Sequence, residues 1–137
     1  MSIPKILIQW STYCHLDDHK DAQLILLKGH LLLEIFLSGA INDKQLSFFG
    51  KINKFESLFN SSFITNALLE LNKMRNELAH TWNFSAEESG LYEWSDRILN
   101  NIEYEAEFRR TPRTKIVHAI AALAGEIYKH GKTAEPA

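Results

Sequence analysis

Apolar residues recur at spacings of three and four along most of this chain, a pattern that places side chains on one face of an α-helix. Phe48, Ile52, Phe55 and Phe59 are one such set, and Ser47 before them is a typical helix N-cap. The chain has only six glycines and three prolines, and no turn signal separates alternating stretches. We therefore predict an all-α fold, an antiparallel bundle of about four to five helices.

The size and charge of the chain set further bounds. Its 137 residues suit one domain over 1–137, and 45% hydrophobic against 23% charged residues is ordinary globular usage. The 15 basic and 17 acidic residues give a formal net charge of -2, so any site for a polyanion has to be local. Cys14 is the only cysteine, and the N-terminus lacks the pattern of a secretory signal, which favours a cytoplasmic location.

The longest apolar stretch predicts a central helix that begins at about Asp17. Its run from Leu24 to Ile41 is nearly long enough to cross a membrane, but Lys28, His30 and Glu34 interrupt it. We interpret this stretch as a buried helix of a protein without a membrane partner. Its apolar surface covers more than one face, so it sits centrally in the bundle or also meets a second protomer.

Capping signals mark the remaining helices. One is predicted over 63–82, one after the pattern Ser85-x-x-Glu88, and one that begins at Thr111-Pro112 and ends at Gly131. Residues 1–16 form an N-terminal arm, for which a docking segment, a short helix and a strand all remain open. Residues 132–137 are predicted to be a loose tail.

The segment Leu71 to His80, with the sequence LNKMRNELAH, carries the candidate chemistry. On an ideal helix Arg75 lies about 40° from Leu71, inside the apolar arc. Asn76 and His80 lie about 140° and about 180° from Leu71 and share another face. Arg75 and His80 converge only if the arginine folds around the helix, the helix loosens near Trp82, or a second chain supplies one of them.

This segment resembles the Arg-polar-x-x-x-His motif of the HEPN superfamily. The likeness includes GHLLLE at Gly29–Glu34, FFGKINKF at Phe48–Phe55 and LNKMRNELAH at Leu71–His80, and covers the chain from Lys28 to Trp82. The resemblance implies an antiparallel bundle that forms a homodimer, in which the two motif helices face each other across a shared cleft. Many members are metal-independent endoribonucleases, often toxins or defence effectors, so it also implies RNA and an antitoxin or other regulatory protein as partners.

The resemblance further assigns roles to three residues. His80 would act as general base or acid at the RNA 2'-hydroxyl, Arg75 would bind the scissile phosphate, and Asn76 would orient one of them. The products would be a 2',3'-cyclic phosphate and a 5'-hydroxyl, with no cofactor. These residue types suit the reaction, because an imidazole exchanges protons near neutral pH and a planar guanidinium binds phosphate. Two copies of the histidine in a dimer can divide the acid and base roles.

Other residues are candidates for supporting roles. Glu34 is a natural partner for Arg75 or an orienting group for His80, although an exposed glutamate is equally expected. Four cations form the one concentrated basic patch and are candidate RNA-phosphate contacts, the alternative being a solvated turn: Arg109, Arg110, Arg113 and Lys115. Four aromatic residues are candidates for base stacking, although packing is their commoner role: Trp82, Tyr92, Trp94 and Tyr104.

Two other interpretations of the same segment remain open. A HEPN-like bundle can be a non-catalytic binding or regulatory module, such as a repressor-like or sensor partner. Alternatively, Arg75 pairs with a buried acid and His80 caps carbonyl groups at the end of its helix. His30 and Glu34 have the spacing of a metal-ligand pair, but no third ligand accompanies them, so no metal site is predicted.

Overall fold

The computed structural model describes residues 4–104 and 111–134. Over these residues the protein contains no strand, which confirms the all-α class. The helices found there number six, because the N-terminal arm is itself a helix. They are α1 (Lys5–Asp17), α2 (Ala22–Ile41), α3 (Phe48–Phe59), α4 (Ser62–His80), α5 (Leu91–Asn101) and α6 (Pro112–Ala134).

The start of α2 differs from the prediction. Asp17 ends α1, and α2 begins after Asp21, whose side chain accepts a hydrogen bond from the backbone N–H of Gln23 at 2.9 Å. Aspartate favours both helix caps and turns, so several acidic residues in a row do not mark one boundary. Arg113 of α6 donates to the backbone carbonyl oxygens of Asp17 and His19, at 3.1 and 2.9 Å, and thereby closes the end of α1.

Two of the predicted caps are present as expected. The Ser47 hydroxyl accepts a hydrogen bond from the Gly50 N–H at 3.1 Å at the start of α3. The Thr111 hydroxyl accepts one from the Thr114 N–H at 3.2 Å before α6. These contacts satisfy N–H groups that the first helical turn leaves without a partner.

Two other predicted boundaries are displaced. The Ser85 hydroxyl does accept a hydrogen bond from the Glu88 N–H at 3.2 Å, but α5 begins only at Leu91, after Gly90 with a φ of 87°. Gly131 does not end α6, which continues to Ala134, while residues 135–137 lie outside the described part. A Cβ at Gly131 would lie 2.9 Å from the Cα of Ala40, so this glycine allows close packing on α2.

Helix α6 lies at the centre of the core. Nearly every residue from Ile116 to Ile127 is buried, and the helix packs against α1, α2 and α5. Small side chains allow this close packing, since a Cβ at Gly125 would lie 2.6 Å from the Gln9 side chain of α1. Helix α4 packs against α2, α3 and α5, and the buried Trp94 joins it to α5, because its indole N–H donates to the Ala67 carbonyl at 2.9 Å.

Helix α2 is apolar on both its inner and outer sides. It is long and apolar enough to cross a membrane, with a mean hydropathy of 1.8, and 39% of that window is buried in the protein. A core helix of a soluble protein meets the same criteria of length and composition. Its inner side includes Leu26, Leu33 and Leu37, which are fully buried.

The packing of α2 on α6 predicts opposite effects at two glycines of α2. Gly29→Ala should destabilise the protein by about 1–3 kcal/mol, because the added Cβ would overlap the buried Ile120 side chain. Gly39→Ala is the matched control, since nothing lies within 4 Å of its added Cβ and alanine is the better helix former. Urea unfolding measures both variants. Equal unfolding midpoints would contradict the close contact between α2 and α6.

Candidate functional site

The C-terminal end of α4 lies outside the core. Its buried side chains end at Met74, and from Arg75 to His80 only Leu78 is even half-buried. The helix nevertheless remains regular to His80, and the chain becomes extended at Thr81, with φ and ψ of -125° and 114°. The end of α4 therefore presents its side chains to solvent on a rigid helical support.

Arg75 is exposed, so its predicted place in the buried apolar arc is wrong. The ideal-helix geometry assumed that the core covers α4 along its whole length, whereas burial stops one residue earlier, at Met74. The described residues include no carboxylate paired with Arg75. The interpretation of Arg75 as half of a buried ion pair is therefore wrong as well.

The guanidinium of Arg75 turns towards the side of the helix that Asn76 and His80 share. Its Nη1 donates to Asn76 Oδ1 at 3.4 Å, a long contact between exposed groups. Asn76 and His80 are four residues apart, which makes them neighbours on the helix surface. Of the three routes that would bring Arg75 towards His80, the structure favours the folding of the arginine around the helix, and it excludes a loosened helix before His80.

His80 is the last residue of α4 and its side chain is exposed. Within the described part of the chain its ring has no hydrogen-bond partner, so the structure does not show it capping carbonyl groups. Two residues later, Trp82 is 97% exposed, whereas Trp94 is in the core. Of the four aromatic candidates for base stacking, Trp82 thus offers the most open ring next to His80.

Glu34 contacts neither Arg75 nor His80 in the structure. Its Oε2 accepts a hydrogen bond from the Lys51 ammonium of α3 at 3.0 Å. The Lys51 side chain is only 6% exposed and that of Glu34 is 30% exposed. The sequence did not indicate this pair, because the two residues lie on different helices.

A buried histidine lies behind the exposed end of α4. The His30 Nε2 lies 3.1 Å from Asn72 Oδ1, and because a carbonyl oxygen only accepts, Nε2 carries the proton. The ring packs edge to face on Phe48, with 4.2 Å between centroids, and the residue is 7% exposed. Burial lowers the pKa of His30, and the Arg75 charge lowers it further, while the hydrogen bond to Asn72 and the Glu34 charge oppose this.

Sequence reasoning missed the pairing of His30 with Asn72. It treated His30 only as half of a possible metal-ligand pair with Glu34, and no group of three or more ligating side chains occurs among the described residues. The sequence held only a weak signal: Asn72 lies three residues before Arg75 and therefore on the same side of α4.

The basic patch is only partly described. Arg113 contacts the end of α1, and its Nη2 also lies 3.4 Å from Asp17 Oδ1. The Lys115 ammonium lies 3.1 Å from Asp96 Oδ1. Arg109 and Arg110 lie outside the described residues. The two described cations therefore already have anionic partners in the protein.

An exposed apolar stripe runs along α2. Leu24, Leu27, Leu31 and Ile35 are spaced by three or four residues and are 37, 42, 58 and 59% exposed. We call these four residues the α2 stripe. The helix that carries the stripe contacts α4 through His30, and its Gln23 side chain donates to the Phe84 carbonyl in the loop after α4 at 3.3 Å.

Comparisons with known proteins do not identify a relative. No protein-family model matches the chain, and neither a characterised protein nor a solved structure matches it. The arrangement of residues at the end of α4 is therefore the basis for any functional proposal.

Proposed function

We propose that this protein is a HEPN-like endoribonuclease of the toxin or defence-effector type, which cleaves RNA without a metal ion as a homodimer. The observation that carries the proposal is the exposed end of α4, where Arg75 contacts Asn76 and His80 follows one turn later. These groups offer a cation and a proton acceptor on one solvent-accessible helix end. The resemblance of this segment to the HEPN motif supports the same reaction.

The proposed reaction needs only these side chains and the RNA itself. The His80 imidazole takes the proton of a 2'-hydroxyl, whose oxygen attacks the adjacent phosphorus. The bond from phosphorus to the 5'-oxygen breaks, and an imidazolium returns a proton to that oxygen. The products are a 2',3'-cyclic phosphate and a 5'-hydroxyl. Arg75 stabilises the charge that develops on the phosphate oxygens, and Asn76 holds the guanidinium.

The α2 stripe supports the homodimer. A contiguous row of exposed aliphatic side chains is a typical interaction surface. A two-fold axis would pack the stripe against its own copy, because such an interface uses the same patch twice. Since α2 contacts α4 and the loop after it, we expect this packing to bring the two α4 ends towards one interface. The second copy of His80 could then serve as the acid while the first serves as the base.

A second candidate function is a non-catalytic HEPN-like module that binds RNA or a regulatory protein. The observation that favours it is that the Arg75 guanidinium donates to Asn76 and has no hydrogen bond to His80 among the described residues, the two positions lying about 140° apart on an ideal helix. If no second copy completes the cleft, the same exposed groups can bind a partner without cleaving it.

The nuclease proposal predicts RNA cleavage that resists a chelator. Purified protein incubated with end-labelled RNA and EDTA should release fragments that end in a 2',3'-cyclic phosphate. Arg75→Ala and His80→Ala should each lower the rate by about 100-fold or more, as expected when a charge-stabilising group or an acid-base group is lost. Arg97→Ala and His15→Ala are matched controls at exposed positions outside the site and should retain the wild-type rate.

Two results would count against the nuclease. Cleavage that stops in EDTA would contradict the metal-independent mechanism. A folded dimer that binds RNA but leaves it intact would favour the non-catalytic module instead.

The dimer proposal predicts that a charge in the α2 stripe separates the protomers. Leu31→Asp and Ile35→Asp should sediment as monomers, because each buries a carboxylate in the proposed apolar interface. Leu58→Asp is the matched control, since Leu58 is 54% exposed on α3 and lies outside the stripe. Sedimentation velocity measures the mass, and circular dichroism checks the helix content. A wild-type monomer, or dimers for all three variants, would refute the interface.

A further inference from the structure

The buried His30 contacts α4 one turn before the exposed Arg75. His30 donates to Asn72, and Asn72 precedes Arg75 by three residues. Residues at this spacing have Cβ atoms about 5–6 Å apart on a helix surface. The contact thus connects α2 to α4 two residues before Met74, the last buried residue of α4.

The charged groups around His30 come from three helices. Arg75 of α4 opposes protonation of the ring, and Glu34 of α2 favours it. The Glu34 carboxylate is itself bonded to the Lys51 ammonium of α3, which offsets part of its charge. Next to His30, α2 packs on α6 through an apolar contact between Gly29 and Ile120. Among these charged groups, Arg75 is the one that opposes protonation of His30 from the exposed end of α4.

We propose that His30 is a positioning residue of the Arg75 site and takes up a proton when a phosphodiester binds to Arg75. This inference rests on the proposed function, since it takes Arg75 as the phosphate ligand. A bound phosphate brings negative charge next to the guanidinium and cancels its effect on the neighbouring imidazole. By thermodynamic linkage, protonation of His30 strengthens phosphate binding by the same factor. RNA binding therefore becomes tighter as the pH falls.

His30 acts through Asn72 and does not contact the RNA. The residue is 7% exposed, and its described polar contact is to the Asn72 amide. Its hydrogen bond holds the turn of α4 from which Arg75 extends. The neutral and the protonated ring can both donate from Nε2, so this positioning contact survives proton uptake.

Histidine-selective NMR tests the linkage directly. The His30 ring signals are followed against pH with and without a 2'-O-methyl RNA oligonucleotide, which has no free 2'-hydroxyl and stays intact. We expect the oligonucleotide to shift the titration midpoint of His30 upward. In Arg75→Gln the midpoint should already be raised without RNA and should not move further. Arg97→Gln removes an exposed arginine elsewhere and should behave as the wild type.

The outcomes separate this inference from the proposed function. If Arg75→Gln raises the midpoint but no oligonucleotide binds, the coupling holds and the nuclease proposal fails. If the oligonucleotide binds and the midpoint of His30 stays fixed, the linkage is refuted while RNA binding stands. A midpoint that ignores Arg75→Gln also overturns the linkage.

A conservative variant separates positioning from proton uptake. Glutamine can place an amide N–H near the position of Nε2 but does not titrate, so His30→Gln should gain less affinity for the oligonucleotide than the wild type from about pH 8 to about pH 5.5. His30→Ala removes the donor as well and should bind more weakly than His30→Gln at both pH values. Equal affinity and equal pH dependence in the wild type and both variants would contradict any role of His30.

Discussion

Two of the hydrogen bonds that attach α4 to the rest of the bundle lie at Ala67 and Asn72. The Trp94 indole donates to the Ala67 carbonyl at 2.9 Å, and the His30 ring donates to Asn72 at 3.1 Å. Between them, Leu68 and Leu71 are fully buried. Because burial ends at Met74, the final turns of α4 extend from this anchored part into solvent. Arg75, Asn76 and His80 owe their exposure to this arrangement.

This arrangement explains why the polar groups of the region differ in character. Polar groups in the packed part of the bundle are paired across helices, as Glu34 is with Lys51. Polar groups of α4 after Met74 contact only their own helix, as Arg75 does with Asn76. Buried polar groups need partners, whereas exposed ones keep their hydration until a ligand arrives. The end of α4 therefore retains binding capacity that the core does not have.

The sequence predicted local features well and contacts between helices poorly. The helical class, the Ser47 cap and the grouping of Arg75 with Asn76 and His80 on α4 all follow from spacing of residues close in the chain. The exposure of Arg75 depends on how far neighbouring helices cover α4, which no local pattern records. The contact between His30 and Asn72 joins residues 42 apart in sequence, so only the packed structure shows it.

The central claim is that two copies of the α4 end face each other in a dimer, and a distance between spin labels tests it most directly. Cys14 is exposed and is the only cysteine, so it is first replaced by serine. A label at Ala79 reports on the end of α4, and a control label at the exposed Lys129 reports on the far end of α6. The account predicts a short, well-defined distance between the two Ala79 labels and a longer one between the Lys129 labels. A distance between the Ala79 labels that exceeds the distance between the Lys129 labels would contradict a shared cleft. The absence of dipolar coupling between the Ala79 labels would contradict it as well.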